Sequence, residues 1–488
     1  MSKQDKKELR QQIACEWLEN NYLSFSSLRH DVITDRLQIR CADSTGEEAI
    51  RRGGDRQERW RNLTDKDINT MVCNCVAEAQ VNINVSEMWT ALKSDMVPAV
   101  HPIRAWLEGL KPYTPDQPDW IDFVASQVKV KPSPESATDR PAGCRSAQVP
   151  VDGRSAAPVV FHNESTASNA SELQCSASET NYSEATHSSQ HERSEADRLW
   201  RACFKKWFVA MVASWMKDEV VNHTVLVLIG RQGIFKTTWL ERLIPPELRE
   251  YSSKLPLSGQ ITKDDRLRLC ENAMLNIDEL DAICGREMNI VKSLLTSTDV
   301  NERAAYGRLK ERRVRLASFC ASTNNREFLT DITGNRRWLP FEVESIQNPF
   351  HSIIPYEQIY AQAVYLIEQG WYMYWFDLEE IEELEKHNEE FRAMENEEQL
   401  LPILFDVPAE GRGEFMTTAQ ISERLVTYGN IKKPMALSRL GVVMSSMGYR
   451  SVTRGNRQAR LRGWIVYQRD TEEIAASKKL LAKECVTV

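Results

Sequence analysis

Three apolar runs stand out in the middle of the chain: Val225–Ile229, Ala273–Ile277 and Leu316–Ala321. Each is too short for a helix and ends on a small or polar residue, at Gly230, Asp278 and Ser322 respectively. Continuous apolar runs of four to eight residues closed by such signals read as strands buried on both faces. The stretches between them place apolar residues at helical spacing. From Asp197 to about Tyr374 the alternation therefore predicts an α/β domain around a mainly parallel sheet.

The flanks carry different patterns. Residues 1–125 read as a small, mainly helical module, helical or winged-helix-like. Its predicted helices are Leu9–Leu23, Asp65–Ala79 (capped by Thr64 with Asp67 three residues on), one beginning at Ser86 and one opened by Pro102. Residues 126–196 are dominated by Ser, Ala, Thr, Glu and Pro. Too little apolar surface is present to offset the entropy of ordering, so a disordered linker that lets the N-terminal module move is expected. An acidic helical connector follows the core, which is set at 197–376, over 377–399. A second small module spans 400–470, and 471–488 is a tail.

Composition narrows the classes. The chain has 488 residues and a net charge of -8, which excludes a uniformly basic nucleic-acid binder. Yet Arg424 to Arg469 holds ten Lys/Arg and no acid, while Asp377 to Glu398 is strongly acidic. The eleven cysteines form no CxxC pair; Cys73 and Cys75 stand as C-x-C, and free thiols of a reducing cytoplasm are the expectation. No secretory signal or membrane span is read, so a cytoplasmic location with no membrane partner is expected. Arg51, Arg52, Arg56, Arg59 and Arg61 alternate with acids and read as a solvated loop.

Candidate chemistry begins where the first strand ends. Gly230-Arg231-Gln232-Gly233-Ile234-Phe235-Lys236-Thr237-Thr238 has the layout of a phosphate-binding loop. Its glycines turn backbone N–H groups onto an oxyanion, Lys236 reaches the β/γ-phosphates, and the Thr237 hydroxyl holds Mg²⁺. Phe235 stands where glycine is usual. The second strand ends in Asp278-Glu279, 42 residues after Lys236 (278 − 236), as a metal-shell acid and a water-polarising acid require. Asn324 closes the third strand, placed to sense the γ-phosphate. Thr333-Gly334-Asn335-Arg336-Arg337-Trp338 offers Arg336 and Arg337 as arginine fingers, the alternative being packing on acidic loops. Between Glu302 and Arg315 lie six bases and one aromatic, with Arg308 and Lys310 at the centre. That segment suits a nucleic-acid backbone, a neighbouring subunit's nucleotide, or plain solvent.

The order GRQGIFKTT, LNIDELDAI, LLTSTDVNERAAYGR, ASTNNREFLTDITGNRRWLPFEV resembles the virulence-associated protein E family over about residues 197–375. WRNLTDKDINTMV and HPIRAWLEGL resemble the region preceding its ATPase. The resemblance implies a three-layer P-loop core of the AAA+ or superfamily 3 helicase kind, carried by phages and mobile elements. It also implies ATP and Mg²⁺ as cofactors, a homo-oligomeric (hexameric) ring, and action on DNA, single-stranded or forked. Lys236, Thr237, Asp278, Glu279, Asn324, Arg336 and Arg337 match its motif positions. No priming site is evident before residue 197, so a separate primase or other replication proteins are expected partners.

Phe415–Tyr467 reads as helix, turn, helix and hairpin, the outline of a winged helix. Arg454, Arg457, Arg460 and Arg462 lie on its wing, where they suit phosphates, or serve only a soluble end cap. An ATP-driven DNA helicase or translocase is the leading expectation. A regulatory or defence switch that binds DNA without unwinding it is the alternative, and a DNA-binding scaffold with a degenerate site the third.

Overall fold

A computed structural model describes residues 3–41, 60–132, 195–255, 262–278, 280, 285–302, 311–329, 335–408, 413–456 and 459–475. Near the N-terminus, α1 (Lys3–Leu18), β1 (Leu28–Asp31), β2 (Arg36–Arg40), β3 (Trp60–Asn62), α2 (Asp65–Ala79), α3 (Val85–Leu92) and β4 (Ala99–Val100) share a core that includes Trp17, Leu28, Met71 and Met88. The cap read at Thr64 is present. Its hydroxyl accepts from the Asp67 amide at 3.3 Å, and the Asp67 carboxylate accepts from the Thr64 amide at 2.8 Å. The module is not helical alone, however: β3-β2-β1-β4 form a four-stranded sheet. Those strands are two to five residues long, and β1 and β2 do not alternate buried with exposed, so period two gives no signal.

The core is entered earlier than the sequence suggests. Apolar residues of α4 (Pro102–Glu108) and α5 (Trp120–Ala125) bury against α6 (Glu195–Met216), and the Trp200 indole donates to the Ala125 carbonyl at 2.9 Å. Within the segment assigned to the linker, β5 (Val128–Val130) pairs antiparallel with β12 (Trp338–Ile346). Arg201 then ties Asp122 and Asp197 across the gap. Residues 133–194 lie outside the described set, but the chain on both sides of them belongs to one body.

His101 caps α4, its ring nitrogen accepting from the Arg104 amide at 3.2 Å, which requires a neutral ring. Burial pulls its pKa from the ordinary 6.5 to about 4. Between those values the unfolded chain binds the extra proton and the folded chain does not. The stabilisation is thus complete above pH 6.5 and is lost as pH falls towards 4. His101→Asn keeps an acceptor that does not titrate. In denaturation series it should remove about 1–2 kcal/mol of the acid destabilisation in that window, after allowance for partial exposure. An unchanged pH profile would assign the acid sensitivity elsewhere.

The central sheet contains β6 (Val225–Ile229), β7 (Ser252–Lys254), β8 (Met274–Ile277), β11 (Ser318–Thr323) and β12, in the order β5-β12-β6-β11-β8-β7. All its pairings are parallel except that of β5. Leu226 and Leu228 bury against α6, α7 (Lys236–Glu241) and α10 (Tyr356–Gln369). Val225, Val227 and Ile229 bury with residues of α8 (Lys263–Glu271) and α9 (Gly285–Thr296). Helices thus cover both faces, which is why β6 is fully apolar rather than alternating.

Between α9 and β11, β9 (Asp299–Glu302) and β10 (Glu311–Val314) form an antiparallel hairpin. The acidic helix α11 (Leu378–Glu389) is no free connector. It buries Leu384, and Asn388 donates to the Asn335 and Trp338 carbonyls at 2.8 and 3.0 Å. Beyond it, α12 (Asn396–Leu404), β13 (Phe405–Asp406), β14 (Glu414–Met416), α13 (Thr418–Gly429), α14 (Leu437–Ser446), β15 (Arg450–Asn456) and β16 (Ala459–Gln468) enclose a separate core around Leu425, Leu440 and Trp464. Gly463 is required there: a Cβ would sit 2.5 Å from the Met416 carbonyl oxygen and 2.6 Å from the Phe415 ring. Among the described residues no helix is long and apolar enough to cross a membrane.

Candidate nucleotide site at the carboxyl edge of the sheet

Parallel strands deliver their last residues to one edge, and the turn after β6 begins there. Gly230 adopts φ +152, and a Cβ would press within 3.1 Å of the Val343 carbonyl oxygen. Gly233 follows at φ +85 in open space. Arg231, Gln232 and Gly233 are exposed, Ile234 is half-buried, and α7 starts at Lys236. The residue before it, Phe235, takes φ +69 and ψ 18. That left-handed conformation suits glycine and costs a residue with a Cβ about 1–2 kcal/mol. Its half-buried ring meets Phe350 edge-on, centroids 6.2 Å apart.

Lys236 is buried. Its ammonium donates to the Gly230 and Arg231 carbonyls at 2.6 and 2.8 Å and to Asn324 Oδ1 at 3.0 Å. At the next residue of α7, Thr237 Oγ1 lies 2.9 Å from Ser322 Oγ and 3.5 Å from Asp278 Oδ1, and Ser322 Oγ donates to that same oxygen at 3.3 Å. Three hard oxygen donors therefore converge beside one lysine. Gln232, Gly233, Phe235, Lys236, Thr237, Thr238, Asp278, Ser322, Thr323 and Asn324 line a cleft of about 380 Å³. The oxygen set of Thr237, Asp278 and Ser322 fits a magnesium ion that completes its shell with water and phosphate.

Two participants escaped the sequence reading. Ser322 closes the third apolar run, but the sequence reading gave it no role. Lys254 ends β7, an edge strand of three residues without alternation. Its ammonium is 2.6 Å from Asp278 Oδ2 and 3.8 Å from Glu241. An ammonium ion thus neutralises the acid on which a divalent cation would draw.

The arginine pair is not at this cleft. β12 runs parallel to β6 with Trp338 opposite Val225 and Glu342 opposite Ile229. Arg336 and Arg337, in the 3₁₀ turn just before Trp338, therefore sit at the amino edge, roughly 13 Å of strand away. Arg336 is exposed, Arg337 half-buried, and Asn388 fixes the carbonyls on either side of them. Glu279, Arg308, Lys310 and Arg457 lie outside the described residues.

Of the six bases between Glu302 and Arg315, three have structural partners. Arg312 pairs with Asp299, and Arg313 lies between Asp35 and Glu271. Arg315 is fully buried among backbone carbonyls. On the C-terminal hairpin Arg460 and Arg462 are exposed, while Arg454 lies over the Phe415 ring at 4.8 Å. Part of its surface is therefore spent on packing.

Fold and cleft together define a mixed α/β protein with a lysine, a threonine and an aspartate gathered at the carboxyl edge of a parallel sheet. Residues 179–393 match the model of the virulence-associated protein E-like domain, so the chain carries a domain of that kind. The match ends beyond Phe376 and takes in α11, in keeping with its packing on the core. No curated protein matches the chain. Two apo structures of the NrS-1 C-terminal region are similar in overall outline. One has 9% identity, covers 92% of this chain and 99% of that one, and has a TM-score of 0.38. The other, also at 9%, covers 91% and 97% with a TM-score of 0.39. At such scores the likeness carries nothing about activity.

Proposed function

We propose that this chain is a P-loop ATPase with a three-layer core that hydrolyses ATP with Mg²⁺ and couples cleavage to work on DNA in the replication of a phage or mobile element. One observation carries the reading: Lys236, Thr237, Asp278, Ser322 and Asn324 meet at the carboxyl ends of three neighbouring parallel strands. Lys236 would trade its loop carbonyls for phosphate oxygens, and Asn324 would follow the γ-phosphate. Thr237 and Asp278 would hold the metal, which supplies charge neutralisation on the phosphates. Arg336 and Arg337, far from their own cleft, suit the nucleotide of a neighbour in a ring. The helix–helix–hairpin order after residue 417 supports a winged helix whose Arg460 and Arg462 meet DNA.

The test is purified protein with ATP, Mg²⁺ and a forked duplex. Strand separation that disappears in Glu279→Gln is expected. DNA-independent turnover without separation would leave the DNA-binding switch instead, and absence of turnover would remove both.

Lys254 supplies a further expectation. Because its ammonium competes for Asp278, Lys254→Met should tighten Mn²⁺ binding to nucleotide-free protein by up to about fivefold, the scale of one exposed ion pair. Calorimetry showing equal affinities would mean the lysine does not oppose the cation.

A further inference from the structure

Phe235 and Phe350 have no part in binding phosphate or metal, yet Phe235 lines the cleft and Phe350 packs against it. Phe235 keeps a bulky side chain in a backbone conformation made for glycine, between the phosphate-facing turn and Lys236. An outlier of this kind at a binding loop calls for a functional reason. Its ring contacts Phe350 at 84°, and Phe350 is 76% exposed. Whichever ring presents its edge, that exposure leaves at least one face of Phe350 bare.

The backbone around Phe350 is fixed while the ring is not covered. Asn348 Oδ1 accepts from the Phe350 amide at 3.0 Å, and the Asn348 carbonyl accepts from Ser352. Arg242, at the end of α7, donates to the Ser352 carbonyl at 3.2 Å, and Gln127 to that of Ile353 at 2.9 Å. A bare aromatic face on a pinned loop loses little freedom when a flat ligand settles on it. The loop is tied to α7, so the platform keeps its position relative to Lys236.

We propose that Phe350, braced by Phe235, is the stacking platform for the base of the nucleotide whose phosphates occupy the Lys236 cleft. The proposal rests on the nucleotide reading above and adds the base-recognition element that the polar residues of the cleft do not supply. A stack reads the π-face rather than the hydrogen-bonding edge, so it accepts different bases.

Inorganic tripolyphosphate carries the phosphates without the base and separates the two ideas. With full-length protein and Mg²⁺, calorimetry should show ATP binding more tightly than tripolyphosphate. Phe350→Ala should weaken ATP roughly 5- to 150-fold, the range for losing one aromatic–base stack, with tripolyphosphate affinity within twofold of wild type. Phe350→Trp should restore ATP binding. If Phe350→Ala affects both ligands equally or neither, the platform is wrong while the phosphate site stands. A change in oligomer mass with an unaltered ATP to tripolyphosphate ratio would make Phe350 a subunit contact and equally overturn it. If wild-type protein binds neither ligand, the nucleotide site and the platform fall together.

Discussion

Lys236→Ala is expected to lower ATP turnover at least 100-fold while leaving the fold intact. Among the described residues lining the cleft the ammonium is the sole cation, and it already bridges the turn after β6 to the end of β11 through Gly230, Arg231 and Asn324. A donor aimed at developing phosphoryl charge in a confined site contributes about 2.7–4 kcal/mol to the barrier, or two to three orders of magnitude in rate. Stability should change far less. The carbonyls it leaves lie beside an open cleft where water can replace it, so one charge-assisted hydrogen bond, about 1.5–3 kcal/mol, bounds the loss. The pair of measurements is steady-state hydrolysis and the melting temperature of the same preparation. Turnover within threefold of wild type would place hydrolysis outside this cleft.

The same residues show why the gathering of side chains at the cleft was legible and its surroundings less so. β6, β8 and β11 are buried on both faces, so each appears as a mostly apolar run, and the polar residue ending each run is delivered to the common edge. Lys236, Thr237, Asp278 and Asn324 therefore followed from local spacing. Lys254 did not, because it reaches Asp278 through the order of strands, which no short pattern encodes. The arginine pair had the right sequence setting, but its edge of the sheet is decided by the direction of β12 relative to β6.

Distance along the chain accounts for the boundary that moved. Composition changes near Ser126, but the three residues of β5 are held by β12, Val130 standing opposite Val343. A pairing across more than two hundred residues leaves no trace in a window of ten. Once formed it places the described chain before and after residues 133–194 on one core, and a long connection at such a point costs little, since closure entropy grows only with the logarithm of length. The N-terminal sheet also reaches this core directly, with the Tyr251 hydroxyl donating to Asp31 Oδ2 at 3.0 Å. Free movement of the N-terminal module, expected from the sequence, is incompatible with that contact.

Arg315 inverts its sequence appearance most completely, and Arg315→Met should cost about 3–5 kcal/mol of folding stability. Within a basic run it reads as a surface cation, yet it is 0% exposed, and its guanidinium donates to the carbonyls of Asn222, Leu294, Leu295, Ser297 and Ala317 at 2.8–3.3 Å. Leu294 and Leu295 belong to the last turn of α9, whose carbonyls have no partner in the helix and form the negative end of its dipole. Asn222 precedes β6, so one side chain joins α9, the approach to β6 and the start of β11. Burial pulls its pKa down to about 9, which leaves it charged at neutral pH. Methionine fills much of the volume and strands several buried acceptors at once, the costly half of breaking a buried polar group. Lysine would not substitute, because three donors on one nitrogen cannot span acceptors spread around a planar fork. Equilibrium denaturation is the measurement: a loss under 1 kcal/mol would mean that water reaches these carbonyls. A loss of the expected size in Arg315→Met, matched by Arg315→Lys, would show that the geometry of the guanidinium, and not its charge, holds α9, the approach to β6 and the start of β11 together.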